Sequence, residues 1–383
     1  MFDIGLLTVS AVSVLSLFTV SLLVGEEVVI DDIEVTRQLE WNGFTSDVVT
    51  RQLTDSLREI SVTAGSQVAA LKVDETEIEK GIGAFDDYFQ LSELINGTRS
   101  IFGLIPFHID GEITETREEA LFYARVYTPE QPEPLFEVEV NGDTNDIRQL
   151  MHSAALDLLG QMDPYLVAIY HRRLEEAAKE YDFPQTKIFA KRFLETKPVE
   201  EHFLIYGLLG RAHMIRAERD SALSSVQQQD EYEAAINYLN AALLQRPDFL
   251  FPLVNLGIIN AERGDAAAAE KYFAAAVNVD PNYLETRIAW GDLLTKQDRD
   301  LDVLYQYVAA VELEPDDAEL RDKLARSYLR VGMREAAREQ WLSALQISPL
   351  TTAYLENARS LDPSEIMPAG ENDNCVQSPA LAC

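Results

Sequence analysis

The chain has 383 residues, 47% of them hydrophobic and 25% charged, with 18 Gly and 15 Pro. That composition excludes a disordered, collagen-like or disulfide-framework protein and fits two to three globular domains. Asp and Glu outnumber Lys and Arg by 65 to 32, a formal charge of −33. A surface so acidic repels phosphate and argues against nucleic acid as a partner.

Residues 4–24, opening on Ile4 and closing on Val24, carry no charge. A helix of that length reaches about 30 Å, one hydrocarbon core. The start Met-Phe-Asp brings no Lys or Arg, and no small-x-small cleavage site follows. Residues 1–27 therefore read as an uncleaved transmembrane anchor, with a cleaved signal peptide as the rival. Acidic Glu26, Glu27, Asp31, Asp32 and Glu34 precede the first base, Arg37. Nothing in either flank holds it in the cytoplasm, so the body is expected outside the cytoplasm, in the periplasm. A cytoplasm-facing body is the other orientation.

Residues 28–35 read as a strand, three apolar residues followed by alternation. Thr45 or Ser46 is placed to cap a helix carrying Val48, Val49, Leu53, Leu57 and Ile60. A second strand is expected over 67–73 and a helix over 86–102. The period then changes to two, at Phe107, Ile109, Gly111 and Ile113, and again around Leu121–Val126 and Phe136–Val140. Pro129, Pro132 and Pro134 read as a long hairpin connection, and Asn141-Gly142-Asp143 as a turn. A helix over 144–162 presents Ile147, Leu150, Met151, Ala154, Ala155 and Leu158 on one face. Residues 28–162 are thus an α+β domain.

Beyond residue 162 the strand pattern disappears. Residues 163–200 read as a degenerate helical repeat and connector, 201–351 as an array, and 352–383 as an acidic disordered tail. The array repeats at 34 residues. Pro281, Pro315 and Pro349 keep that spacing, as do Ala276, Ala310 and Ala344, and the aromatics Phe273, Tyr307 and Trp341. Gly257 and Gly291 are followed by Ala325, and the turn position holds Gly264, Asp298 and Gly332. A further copy uses Leu209-Gly210, Ala235, Ala242 and Pro247, with extra residues read as a loop insertion over 220–231.

These slots resemble the tetratricopeptide repeat, a helix–turn–helix unit whose pattern runs Trp-x-x-Leu-Gly-x-x-Tyr, then Ala-x-x-x-Phe, then Pro. Leu253 and Asn260 stand for its Trp and Tyr in the first copy, and Val303 for its Ala in the second. The resemblance covers residues 201–351 and implies an α-solenoid that holds a protein or peptide without turnover. It also implies that the first helices line a concave groove. Residues 34 apart then form ladders: Phe251, Glu285 and Glu319; Val254, Ile288 and Asp322; Ile258, Asp292 and Arg326, extended backwards by Arg211. Phe251, Val254 and Ile258 are expected to form an exposed contact patch. Some members of the family clamp a peptide carboxylate with Lys, Arg and Asn. Here Glu285, Asp292 and Asp322 occupy comparable positions, so a basic or apolar peptide fits better. The amino-terminal domain is distantly similar to the small α/β domain before repeats in some bacterial membrane proteins, and to the amino-terminal domain of TolB. That resemblance implies an envelope location and protein contacts. A sensor of a small ligand is the alternative function.

Enzymatic constellations are missing from the sequence. None of His108, His152, His171, His202 and His213 stands two to four residues from another His, and no Cys accompanies them. Gly81-Ile82-Gly83 lacks the third Gly and the Lys of a phosphate loop, and no Gly-x-Ser-x-Gly occurs. No catalytic residue, metal or cofactor is therefore assigned. Cys375 and Cys383 are the only cysteines, placed to close a small disulfide loop if exported or to stay as two free thiols.

Overall fold

The computed structural model describes residues 28–65, 107–116, 119–128 and 131–361. The anchor expected at 4–24, the strand at 67–73, the helix at 86–102 and both cysteines lie outside these residues. No helix of the described residues is long and apolar enough to cross a membrane. The chain forms two compact units that divide between Ser224 and Ser225.

The first unit begins with a sheet of β1 (Val28–Ile30), β2 (Glu34–Val35), β3 (Phe107–Glu115), β4 (Glu119–Thr128) and β5 (Gln131–Asp143). Its order is β1-β3-β4-β5, with β2 also beside β3. β1 and β2 run parallel to β3, whereas β3, β4 and β5 form an antiparallel meander. The one strand expected over 28–35 is therefore two. Between them Ile33 leaves the ladder and enters the core, fully buried. Its N–H donates to Thr50 Oγ1 at 2.9 Å and its carbonyl accepts from Ser46 Oγ at 2.6 Å.

The expected long proline connection is a second correction, because Pro132 and Pro134 lie inside β5. β5 ends the sheet order, and an edge strand tolerates a residue without an N–H. After β2 come the short helix α1 (Arg37–Trp41) and the long α2 (Ser46–Ala64). Thr45 caps α2 by accepting from Val48 N at 3.4 Å. After β5, α3 (Ile147–Met162) packs on β4, β5 and α2. Its start is set by Asp146, which accepts from Gln149 N at 3.0 Å.

The unit continues with α4 (Pro164–Ala177), α5 (Pro184–Thr196), a 3-10 turn and α6 (His202–Arg219). Asp163 caps α4, with Pro164 in its first turn. Phe183 precedes α5 in the left-handed region, at φ +51°, and offers no side-chain cap. Glu175 of α4 supplies it instead. Its buried carboxylate accepts from Gln185 N at 2.7 Å and from Thr186 Oγ1 at 2.6 Å.

The second unit opens with α7 (Ser225–Gln245). The loop insertion expected over 220–231 is thus helical from Ser225 onward. Its Gln and Glu residues are good helix formers and extend α7 at its start. Three hairpins follow: α8 (Leu250–Glu262) with α9 (Ala266–Val279), α10 (Leu284–Lys296) with α11 (Asp300–Leu313), and α12 (Ala318–Arg330) with α13 (Arg334–Ile347). Each turn holds one left-handed residue, Gly264 at φ +81°, Asp298 at +57° and Gly332 at +82°. Ala276, Ala310 and Ala344 are fully buried, and Phe273, Tyr307 and Trp341 lie in the core beside them. A Cβ on Gly257 would stand 2.5 Å from Phe273, and one on Gly291 would stand 2.8 Å from Tyr307. The glycine slot thus lets the aromatic slot lie against helix backbone.

Residues 352–360, assigned by sequence to the tail, form α14 (Thr352–Ser360) instead. Ala358 and Leu361 bury themselves against Ala325, Ala337 and Trp341, which covers the apolar end that a last hairpin leaves open.

Candidate functional site

The ladder residues fall on the first helix of each hairpin. Phe251, Val254 and Ile258 lie on α8, Glu285, Ile288 and Asp292 on α10, and Asp322 and Arg326 on α12. Arg211 lies on α6 in the first unit, where its Nη1 donates to Met214 Sδ at 3.6 Å.

The patch expected to be exposed is not one. Val254 is 4% exposed and belongs to a core cluster with Leu253 and Ala276. Ile258 is half-buried against that cluster and the one around Phe273 and Leu293. Ile288 packs against the cluster of Leu294, Val303, Tyr307 and Leu324. Neighbouring hairpins use these apolar side chains to seal their own seam, so burial between repeats consumes what the sequence reserved for a partner. Phe251 remains half-buried, its ring 6.4 Å from that of Phe249. Glu285 and Glu319 are exposed.

The aspartates of the ladders are engaged from within. Asp292 Oδ1 accepts from the Tyr307 hydroxyl at 2.5 Å and from Lys323 Nζ at 2.6 Å. Lys323 Nζ also stands 5.8 Å from the centre of the Tyr307 ring. Burial pushes the Tyr307 hydroxyl well above its ordinary pKa, and its bond to Asp292 adds to the shift. In the next hairpin Asp322 Oδ1 accepts from Trp341 Nε1 at 2.6 Å, and its Oδ2 accepts from Arg326 Nε at 2.8 Å. Both carboxylates therefore carry a cation and an aromatic donor.

Sequence reasoning missed Tyr307, Trp341 and Lys323 as members of this face. A signal was present. The aromatic slot reads Phe, Tyr, Trp, and only the last two carry a polar hydrogen. Where the aromatic is Phe273, Ile258 packs against its cluster. Where it donates, an aspartate on the preceding first helix receives the bond.

On another side of the middle hairpin, a pocket of about 330 Å³ is lined by residues including Arg287, Tyr305, Val308 and Glu312. The buried Arg287 donates Nε and Nη2 to Pro281 O, at 3.1 and 3.0 Å. Its Nη1 donates to Gln306 Oε1 at 3.0 Å. These donors brace the hairpin rather than meet a ligand. Among the described residues, no group of three or more His, Cys, Asp or Glu could hold a metal ion.

Comparison with known proteins gives similarity to a tetratricopeptide repeat protein over part of the chain. The chain is 29% identical to tetratricopeptide repeat protein 6 of Homo sapiens over 131 residues. That match covers 33% of this chain, which spans 25% of the relative's length. That relative is described as a tetratricopeptide repeat protein, the kind of repeat that the 34-residue register resembles. No protein-family model matches the chain. Among solved structures, YrrB, described as a TPR protein with an unusual peptide-binding site, is 19% identical with a TM-score of 0.35. The alignment covers 54% of this chain and 98% of that one. TTC0263, a TPR protein of Thermus thermophilus, is 18% identical with a TM-score of 0.38, covering 52% and 97%. MamA of Desulfovibrio magneticus RS-1 is 22% identical with a TM-score of 0.35, covering 42% and 85%.

Proposed function

We propose that this chain is a non-catalytic, membrane-tethered scaffold that holds a protein or peptide on the first-helix side of its repeat array. The observation that carries the reading is the ladder Phe251, Glu285 and Glu319. It repeats at 34 residues along α8, α10 and α12, and its two glutamates stay exposed while the other ladders are spent on packing or internal ion pairs. The partner suited to it is an extended basic segment with an apolar residue set against Phe251. Attraction between such a segment and a chain of charge −33 speeds encounter and weakens with added salt. The uncharged run at residues 4–24 supports the tether, and the lack of Lys and Arg around it supports a body outside the cytoplasm.

A photo-crosslinking amino acid at Glu285 in the full chain tests the scaffold in its own cells. A discrete cross-linked protein, lost on Phe251→Asp and reduced by Glu319→Lys, is the expected result. Labelling no stronger than from the exposed position Glu195 on α5 would sink the groove assignment. Membrane-impermeant maleimide on Cys375 and Cys383 tests the compartment. Labelling only after the inner membrane is breached would place the body in the cytoplasm.

A further inference from the structure

The sheet of the first unit ends on an unusual edge. β5 is 13 residues long and, among the described residues, no strand pairs with its outer side. Exposed edge strands are templates for another strand, and proteins blunt them with proline or charge. Pro132 and Pro134 blunt only the start, and residues 135–143 contain no proline. Charge along the strand has one sign. Glu137, Glu139 and Asp143 share one face and are exposed, Glu133 is exposed near the strand's start, and β5 contains no Lys or Arg.

The two faces of β5 say what a partner strand would look like. On the covered face, the inward residues of neighbouring β4, namely Ala120, Phe122, Ala124 and Val126, are fully buried. On β5 itself Val138 is buried, whereas Phe136 and Val140 on either side of it are half-buried. On the open face, Asp110 and Glu112 of β3 extend the acidic surface, and Arg125 of β4 pairs with Asp110 at 2.9 Å. The Tyr123 hydroxyl on that face bonds Glu137, and its pKa is raised chiefly by that bond. A long bond from Gln161 Nε2 to Glu137 O, at 3.4 Å, touches the edge backbone from α3.

We propose that the outer edge of β5, over residues 135–143, accepts an extended partner strand with Lys or Arg on one face and apolar residues on the other. Its backbone extends the ladder. Its apolar face completes the cover over Phe136 and Val140, and its cations oppose Glu137 and Glu139. A second copy of this chain is the wrong partner, since β5 beside β5 sets glutamates against glutamates. This surface lies in the first unit and does not depend on the array binding anything.

The test titrates the full chain with acetyl-(Lys-Val)4-amide and follows binding by fluorescence anisotropy and amide hydrogen exchange. Expected are new protection confined to residues 135–143 and at least tenfold weaker binding when the valines are N-methylated. (Glu-Val)4 should not bind, and Glu137→Lys with Glu139→Lys should reverse the preference. Wild-type exchange stands by itself if the double variant fails to fold. Equal binding of the N-methylated peptide would reduce the effect to charge alone and overturn the proposal. So would protection elsewhere, no binding at low salt, or sedimentation showing that the chain pairs with itself through β5.

Discussion

Arg287 donates to Gln306 at 3.0 Å, and 34 residues later Arg321 donates to Gln340 at 2.8 Å. Each arginine also bonds the carbonyl of the proline that precedes its helix, Pro281 or Pro315. The same bracket thus ties first helix, second helix and incoming turn in two successive hairpins. Leu253 and Tyr272 stand at the equivalent places of the first hairpin, which lacks it. Removing the acceptor should cost more where the guanidinium is buried. Gln306→Ala is expected to destabilise by about 1–3 kcal/mol and Gln340→Ala by less, since Arg321 is partly exposed. Urea melts of both variants and of the Arg287/Gln306 double-mutant cycle measure this.

The glycine slot gives a second expectation. Gly257→Ala sets a methyl 2.5 Å from the Phe273 ring, in a fully buried site. Overpacking of this kind costs about 1–3 kcal/mol, against a helix-propensity gain of about 1. Net destabilisation is expected, with milder loss for Gly291→Ala, whose nearest ring atom is at 2.8 Å. Ala325→Gly in the third copy should destabilise too, because there the methyl is already accommodated. Stabilisation by either Gly→Ala change would contradict the packing argument.

The inter-helix turns separate backbone strain from contact. Nothing lies within 4 Å of a Cβ built on Gly264, yet its φ is +81°. Gly264→Ala should therefore lose about 1 kcal/mol from conformation alone. Asp298 holds the same turn position at φ +57°, so Asp298→Gly should move stability the other way. The lost contact to Arg330 subtracts little, since Asp298 is 88% exposed and Arg330 keeps Asp300 at 2.6 Å. Thermal melts of the two variants should shift in opposite directions.

His171 sets a pH dependence. Its ring stacks on Phe189 at 5.2 Å with an interplanar angle of 12°, and Tyr170 meets it edge-on. Burial holds its pKa below the ordinary histidine value of 6.5, and nearby His152 lowers it further. The unfolded chain then binds a proton more readily than the folded one. Its contribution is fully present above pH 6.5 and is lost as pH falls through the depressed folded value. Urea midpoints measured from pH 7.5 downward should fall less in His171→Gln than in the parent. Parallel curves would mean that other groups govern the acid limb.

The repeat positions were legible because each solves a local problem. Gly264 and Gly332 mark turns that need positive φ, Ala276, Ala310 and Ala344 mark helix crossings, and Pro281, Pro315 and Pro349 mark helix exits. Local chemistry also announced the α2 cap at Thr45 and the alternation of β3 and β4. Tertiary structure alone decided what those signals meant for a partner. Val254 and Ile258 look like a surface stripe until the first packs with Ala276 and Leu243 and the second with Phe273 and Leu293. Asp292 and Asp322 look like groove charges until Lys323 and Arg326, with Tyr307 and Trp341, bind them from within. Pro132 and Pro134 look like loop residues until the sheet order places β5 at an edge that can hold them. Sequence periodicity records what each residue does along its own helix or strand. Whether a face is spent or left open depends on which element lies across from it, and only the folded chain brings those elements together.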